Sequence, residues 1–114
     1  MDIQKSLEHM QYMQSLIDIF TRQLEEDRAL YLSFPSILAE VERDTLEHIG
    51  RLERQKGELV SLINELDEPD MQIMLERYLN GKKWDEVAHD VGYSKSQVFE
   101  RHKNALNFLK SRKC

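Results

Sequence analysis

A chain of 114 residues with 40% hydrophobic and 32% charged side chains makes one domain, or one small domain with an appendage. With only four glycines and two prolines to interrupt it, its composition favours helix. The single cysteine, Cys114, excludes an internal disulfide framework and fits a reducing cytoplasm. No apolar run approaches the ~20 residues of a membrane span, and the first residues lack a basic segment followed by an apolar one, so neither a membrane partner nor a secretory leader is expected.

The formal net charge of −5 is unevenly placed. Residues 1–66 carry 13 acids and 7 bases, whereas residues 67–114 carry 8 and 9. From Gly92 onward six lysines and arginines outnumber one acid, Glu100. A basic end on an acidic body points to a polyanion partner, although the same cations also complement the dipole of a terminal helix.

In chain order, Ile3, Leu7, Met10, Met13, Ile17, Phe20 and Leu24 recur at steps of three and four and predict a helix from near Asp2 to about Leu32. Pro35 breaks it, because the residue before a proline is biased away from helical angles, and Ser36 is expected to cap the next helix. There Leu38, Thr45, Leu52, Leu59 and Leu66 repeat every seven residues, with Val41, His48, Gln55 and Leu62 between them, which is a heptad seam. Gly50 and Gly57 weaken that helix by about 1 kcal/mol each relative to alanine. Two long helices with a short break predict an antiparallel, coiled-coil-like hairpin over residues 1–66. Two bare helices bury little, and the polar seam residues Thr45, His48 and Gln55 suit a register-setting contact, so a homodimer through these helices is expected. His9 and His48 gather no ligand set at metal spacing, and pairs such as Glu25 and Glu26 imply solvated charge rather than acid–base catalysis.

Residues 67–114 read differently. Asp67 or Glu68 can cap a helix with Pro69 in its first turn, running to about Leu79 and ended by Asn80-Gly81. A short helix follows from about Trp84 to Val91, with Trp84, Val87, Ala88 and Val91 apolar. Gly92 ends it, and Ser94 opens the last helix with the Ser-x-x-Gln spacing of a capping box. That helix sets Val98, His102, Ala105 and Leu109 on one face and Ser96, Glu100, Lys103, Asn104 and Asn107 on the other, with Gln97 and Arg101 at the edge. Short helix, glycine turn and capped polar helix make a helix-turn-helix. Gln97, Glu100, Arg101 and Asn104 are the side-chain types that read base edges, and Lys82, Lys83, Lys95 and Lys103 are placed to meet phosphates. Phe99, half exposed, either meets a thymine methyl or packs against the N-terminal hairpin.

Arg77-Tyr78, Gly81, Trp84, Asp85-Glu86-Val87-Ala88, Gly92, Ser94, Val98 and Ala105-Leu106 through Leu109 together resemble region four of bacterial sigma factors over roughly residues 66–112. The resemblance implies a three-helix module that reads promoter DNA in the major groove, with Ser96, Gln97, Glu100 and Arg101 on the base-reading stretch. It also implies Trp84, Val87, Val91, Val98 and Leu109 in the core. His102 departs from the pattern, which has an apolar or longer side chain there. The whole layout is similar to small phage-encoded transcriptional regulators of the ArpU type. Nothing resembles the sigma region that melts the other promoter element.

The expectation is therefore an all-α, cytoplasmic, dimeric regulator that binds double-stranded DNA and takes no cofactor or metal. The alternative is a protein-interaction module that contacts RNA polymerase or a host regulator, with DNA binding secondary. An enzyme has no support, since no nucleophile–base pairing, metal set or phosphate loop is present in the sequence.

Overall fold

The structure, a computed structural model, describes residues 2–113, with the side chain of Lys113 left aside; Cys114 lies outside the described residues. It is all-α, with no strand among the described residues: α1 (Ile3–Glu8), α2 (Met10–Leu30), α3 (Pro35–Ile63), α4 (Glu68–Met74) continued by a π-helical turn (Leu75–Leu79), α5 (Trp84–Val91) and α6 (Lys95–Lys113). No helix is long and apolar enough to cross a membrane among these residues.

Three local features differ from expectation. The first helix is interrupted at His9, which closes α1 with its N–H on the Leu7 and Lys5 carbonyls, and Asp2 caps α1 by accepting from the Gln4 N–H at 2.9 Å. Helix α3 begins at Pro35 itself rather than after a Ser36 cap; proline at the first helical position lacks only an N–H that would have no helical partner there. The helix from Glu68 ends in a π turn, where the Asn80 N–H reaches back five residues to the Leu75 carbonyl at 3.0 Å. A π turn leaves no mark in residue spacing.

The chain packs as two compact units. One is Tyr12–Lys56; the other joins Met1–Gln11 to Gly57–Cys114. The expected boundary at residue 66 falls inside the second unit, because the first eleven residues and the end of α3 pack with the C-terminal helices.

In the unit Tyr12–Lys56, α2 and α3 run antiparallel. Lys56 Nζ donates to Gln14 at 2.6 Å, Phe20 stacks on His48 at 5.2 Å, and Arg28 pairs with Glu42 at 2.7 Å, so partners approach the loop in step. Of the polar seam residues, Thr45 is buried, His48 rests on Phe20, and Gln55 is exposed and carries no desolvation cost. Ile17 and Leu24 are the buried apolar side chains of this unit, and neither is fully enclosed.

The second unit holds the larger core. Ile73, Val87, Ala88 and Val98 form its centre, with Trp84, Val91 and Tyr93 packed around them. Helix α6 packs against α1, α4 and α5. Ile3, Leu7 and Met10 on one side and Ala105, Leu106 and Leu109 on the other are buried within this unit. Gly81 takes a positive φ of 67°, and a Cβ there would collide with the Gln11 side chain, so the N-terminal segment also requires glycine at this turn.

Because Leu7 is only 1% exposed, Leu7→Ala leaves a cavity beside α6 and is expected to destabilise the unit by about 2–5 kcal/mol, measured by urea unfolding monitored at Trp84. The exposed Leu32→Ala, in the other unit, shifts the same midpoint little.

Candidate nucleic-acid interface

The turn between α5 and α6 is built from a few backbone bonds. Gly92 sits at φ 75°, ψ 26°, and its N–H donates to the Ala88 carbonyl at 3.0 Å, while the Tyr93 N–H donates to the same carbonyl at 3.2 Å. This closes α5 with the left-handed residue that glycine adopts without strain. Ser94 then opens α6 through a reciprocal cap: the Gln97 N–H donates to Ser94 Oγ at 3.2 Å and the Ser94 N–H donates to Gln97 Oε1 at 2.9 Å. The expected helix-turn-helix geometry is present, with α6 fixed at its N-terminal end.

The buried face of α6 carries Val98, Ala105, Leu106 and Leu109. Its opposite face leaves Ser96, Gln97, Glu100, Lys103 and Asn104 exposed. Gln97, Glu100, Arg101 and Asn104 line one open depression together with Asp70 of α4. Four of the five side chains expected to read bases thus share one surface; Ser96 is exposed near its start.

Several of these side chains already have partners. Gln97 spends its carbonyl oxygen on the cap, leaving the amide N–H donors for anything outside. Arg101 pairs with Asp70, Nη1 to Oδ1 at 3.0 Å, and its guanidinium lies over the Tyr93 ring at 4.8 Å. Lys95 pairs with Asp85 at 2.8 Å. Lys82 is gripped by Glu76 and by Asp90, the latter at 2.7 Å, and both carboxylates push its pKa up. Arg112 is bound by Glu65, which holds that carboxylate below its usual range. Lys83 and Lys103 are exposed and make no ion pair among the described residues. Much of the basic end is therefore offset from within. Exposed pairs of this kind are each worth about 0–1 kcal/mol and exchange readily for stronger anions. Asp70 and Tyr93 escaped sequence reasoning as neighbours of Arg101, since Asp70 lies 31 residues away and no local pattern links them.

Behind the exposed face, Tyr78 Oη and His102 Nε2 share a hydrogen bond of 2.6 Å, and Trp84 meets the His102 ring edge-on at 4.7 Å. Arg77 lies over Trp84 at 4.6 Å and donates to the Lys82 carbonyl at 2.9 Å, so one side chain fastens the irregular segment before α5. Phe99 packs its ring against Trp84 at 5.3 Å. The polar His102, on the face of α6 that carries Val98, Ala105 and Leu109, has a partner in Tyr78.

Residues 21–110 match the family described as protein of unknown function (DUF1492), and the chain belongs to that family. No match is found among curated proteins or solved structures.

Burial, and then the positive charge of Arg77, push the His102 pKa down. The folded state thus disfavours a proton that an unfolded histidine accepts near about pH 6.5. The stability tied to neutral His102 is complete above that pH and is lost as pH falls through the lowered folded value. Thermal melts between pH 7.5 and 5 are expected to show a declining Tm in the wild type and a flatter profile in His102→Gln (pH range about that of histidine titration).

Proposed function

We propose that this chain is a sequence-specific, double-stranded DNA-binding transcriptional regulator, phage or prophage encoded, that acts in the cytoplasm as a homodimer. Helix α6 enters the major groove by its N-terminal end. The observation that carries the reading is the capped helix α6, set behind the Gly92 turn with its base-reading types outward in one depression. The likeness to sigma region four and to ArpU-type regulators supports the regulatory and phage assignments. Lys83 and Lys103 supply the phosphate contacts that need no rearrangement; Lys82 and Lys95 contribute by exchanging a carboxylate for the nucleic acid.

The dimer reading is supported by the unit Tyr12–Lys56. It exposes Ile19, Leu30, Leu32, Phe34 and Leu46, with Leu32 at 74%, against two buried apolar side chains, Ile17 and Leu24. A two-helix hairpin with so little core gains most from a second copy that covers those residues.

The second reading, a module that contacts RNA polymerase or a host regulator, is favoured by the same exposed apolar residues and by the neutralised cations. A complex with such a partner that forms without DNA at moderate salt separates it from the first.

Fluorescence anisotropy with pools of random duplex DNA, followed by selection of bound sequences, is expected to give a defined site. Each phosphate contact adds about 0.9 to the log–log salt slope, so Lys103→Ala lowers that slope by about 1 and weakens all sequences alike. A full-length chain indifferent to duplex DNA at low ionic strength ends the DNA reading. In sedimentation the 13.6 kDa chain is expected at twice its mass, and Ile19→Lys is expected to shift it to monomer with an unchanged circular dichroism spectrum. A wild type that stays monomeric at high protein concentration removes the homodimer and leaves the DNA reading in place.

A further inference from the structure

We propose that Asp70 and Tyr93 hold Arg101 as a preset guanine-reading fork, so that the depression beside α6 is a subsite for a G·C base pair. The inference rests on the DNA reading above and assigns it a ligand edge.

The geometry is that of a side chain fixed on two sides and free on a third. Asp70 takes Nη1 of Arg101 at 3.0 Å, and the Tyr93 ring supports the guanidinium face at 4.8 Å. The two contacts come from different elements, Asp70 from the first turn of α4 and Tyr93 from the turn before α6, so they set both the position and the plane of the fork. Asp70 is the more enclosed partner, 18% exposed against 40% for the Arg101 side chain. The carboxylate therefore stays with the protein, and the guanidinium is the group that reaches solvent.

An arginine carries five N–H donors in a rigid plane. One bond to Asp70 leaves the Nε and Nη2 edge without a partner among the described residues. Two parallel donors match the O6 and N7 acceptors that guanine presents in the major groove, and no other base offers two acceptors on that edge. Glu100 lines the same depression, and its carboxylate can accept from the N4 amine of the paired cytosine. Acceptor and donor together fit one G·C pair. A long side chain usually loses its rotamer freedom on binding; here folding has already restricted it.

Asp70 is thus a positioning residue, and charge alone does not describe its role. Removing its charge raises the attraction of the surface for phosphate. Loss of position lowers discrimination at a single base pair. The two effects have opposite signs and separate in one assay.

The test uses the full chain and duplexes carrying the selected site, with each base pair replaced in turn. Wild type is expected to lose about tenfold or more in affinity when one particular G·C pair is replaced. Asp70→Asn, which keeps the shape of the side chain, is expected to reduce that preference to about threefold or less, with preferences at other positions unchanged. Arg101→Lys, which keeps the charge and loses the fork, is expected to erase the same preference. The double variant should discriminate no worse than either single one, because both remove one contact. Asp70→Asn that tightens binding with the G·C preference intact overturns the proposal, since Asp70 then only competes with DNA. Preferences that fall at every position together with the Tm overturn it too, by assigning Asp70 a purely structural role. A wild type that binds duplexes with no G·C-dependent position sinks the subsite alone, and one that binds no duplex sinks the DNA reading along with it.

Discussion

The whole C-terminal arrangement depends on how α6 is buried. Val98, Ala105, Leu106 and Leu109 form a narrow apolar strip, and the helix packs on α1, α4 and α5. Turning α6 about its axis would expose that strip and bury Glu100 or Lys103, at a cost of several kcal/mol for an unpaired charge. Burial therefore fixes which residues face outward. The cap at Ser94 and the left-handed Gly92 fix the near end of the same helix. A surface positioned this way is rigid without any strand or disulfide to brace it. The cost is that the N-terminal eleven residues must be in place, since α1 supplies one wall of the groove that α6 occupies.

Charge acts on this frame less simply than composition suggests. Six cations crowd the last 23 residues, but three of them are answered by acids from earlier in the chain: Asp85 for Lys95, Asp70 for Arg101 and Glu65 for Arg112. A surface of this kind has a weaker long-range pull on a polyanion than its formal charge implies, so steering is modest and local geometry carries more of the discrimination. Paired side chains are also ordered before any ligand arrives, and the entropy of ordering them has been met by folding. The trade is between reach and precision, and the pairing of Arg101 falls on the side of precision.

The sequence was most legible where structure is local. Pro69 in the first turn of α4, the extent of α5, the glycine turn at Gly92 and the Ser94 to Gln97 cap all follow from chemistry within four residues, and all are found. The antiparallel hairpin was legible from two long helical stripes joined by a short break at Pro35, since so short a connection leaves the second helix little choice but to return along the first. The break at His9 was not, because Met10 keeps the apolar spacing through it. Nor was the membership of α1 in the C-terminal unit: the same apolar stripe serves α1 and α2, and spacing does not say what covers it. Ion partners 31 or 47 residues apart are invisible to any local pattern, so Arg101 and Arg112 read as free cations.

His102 shows how a residue that breaks an apolar pattern can sharpen a fold. An apolar side chain at this position would pack against Trp84 with little preference for one rotation over another. The imidazole must also meet the Tyr78 hydroxyl at 2.6 Å, and a hydrogen bond tolerates far less displacement than a hydrophobic contact. Tyr78 lies in the π turn, whose extra residue per turn changes the direction of the side chains that follow Leu75. Arg77, in the same turn, covers Trp84 and holds the Lys82 carbonyl. The π turn, the irregular segment after it and the core-facing side of α6 are thus joined by polar contacts whose geometry admits one register. Burial, and then the charge of Arg77, favour the neutral imidazole in this arrangement.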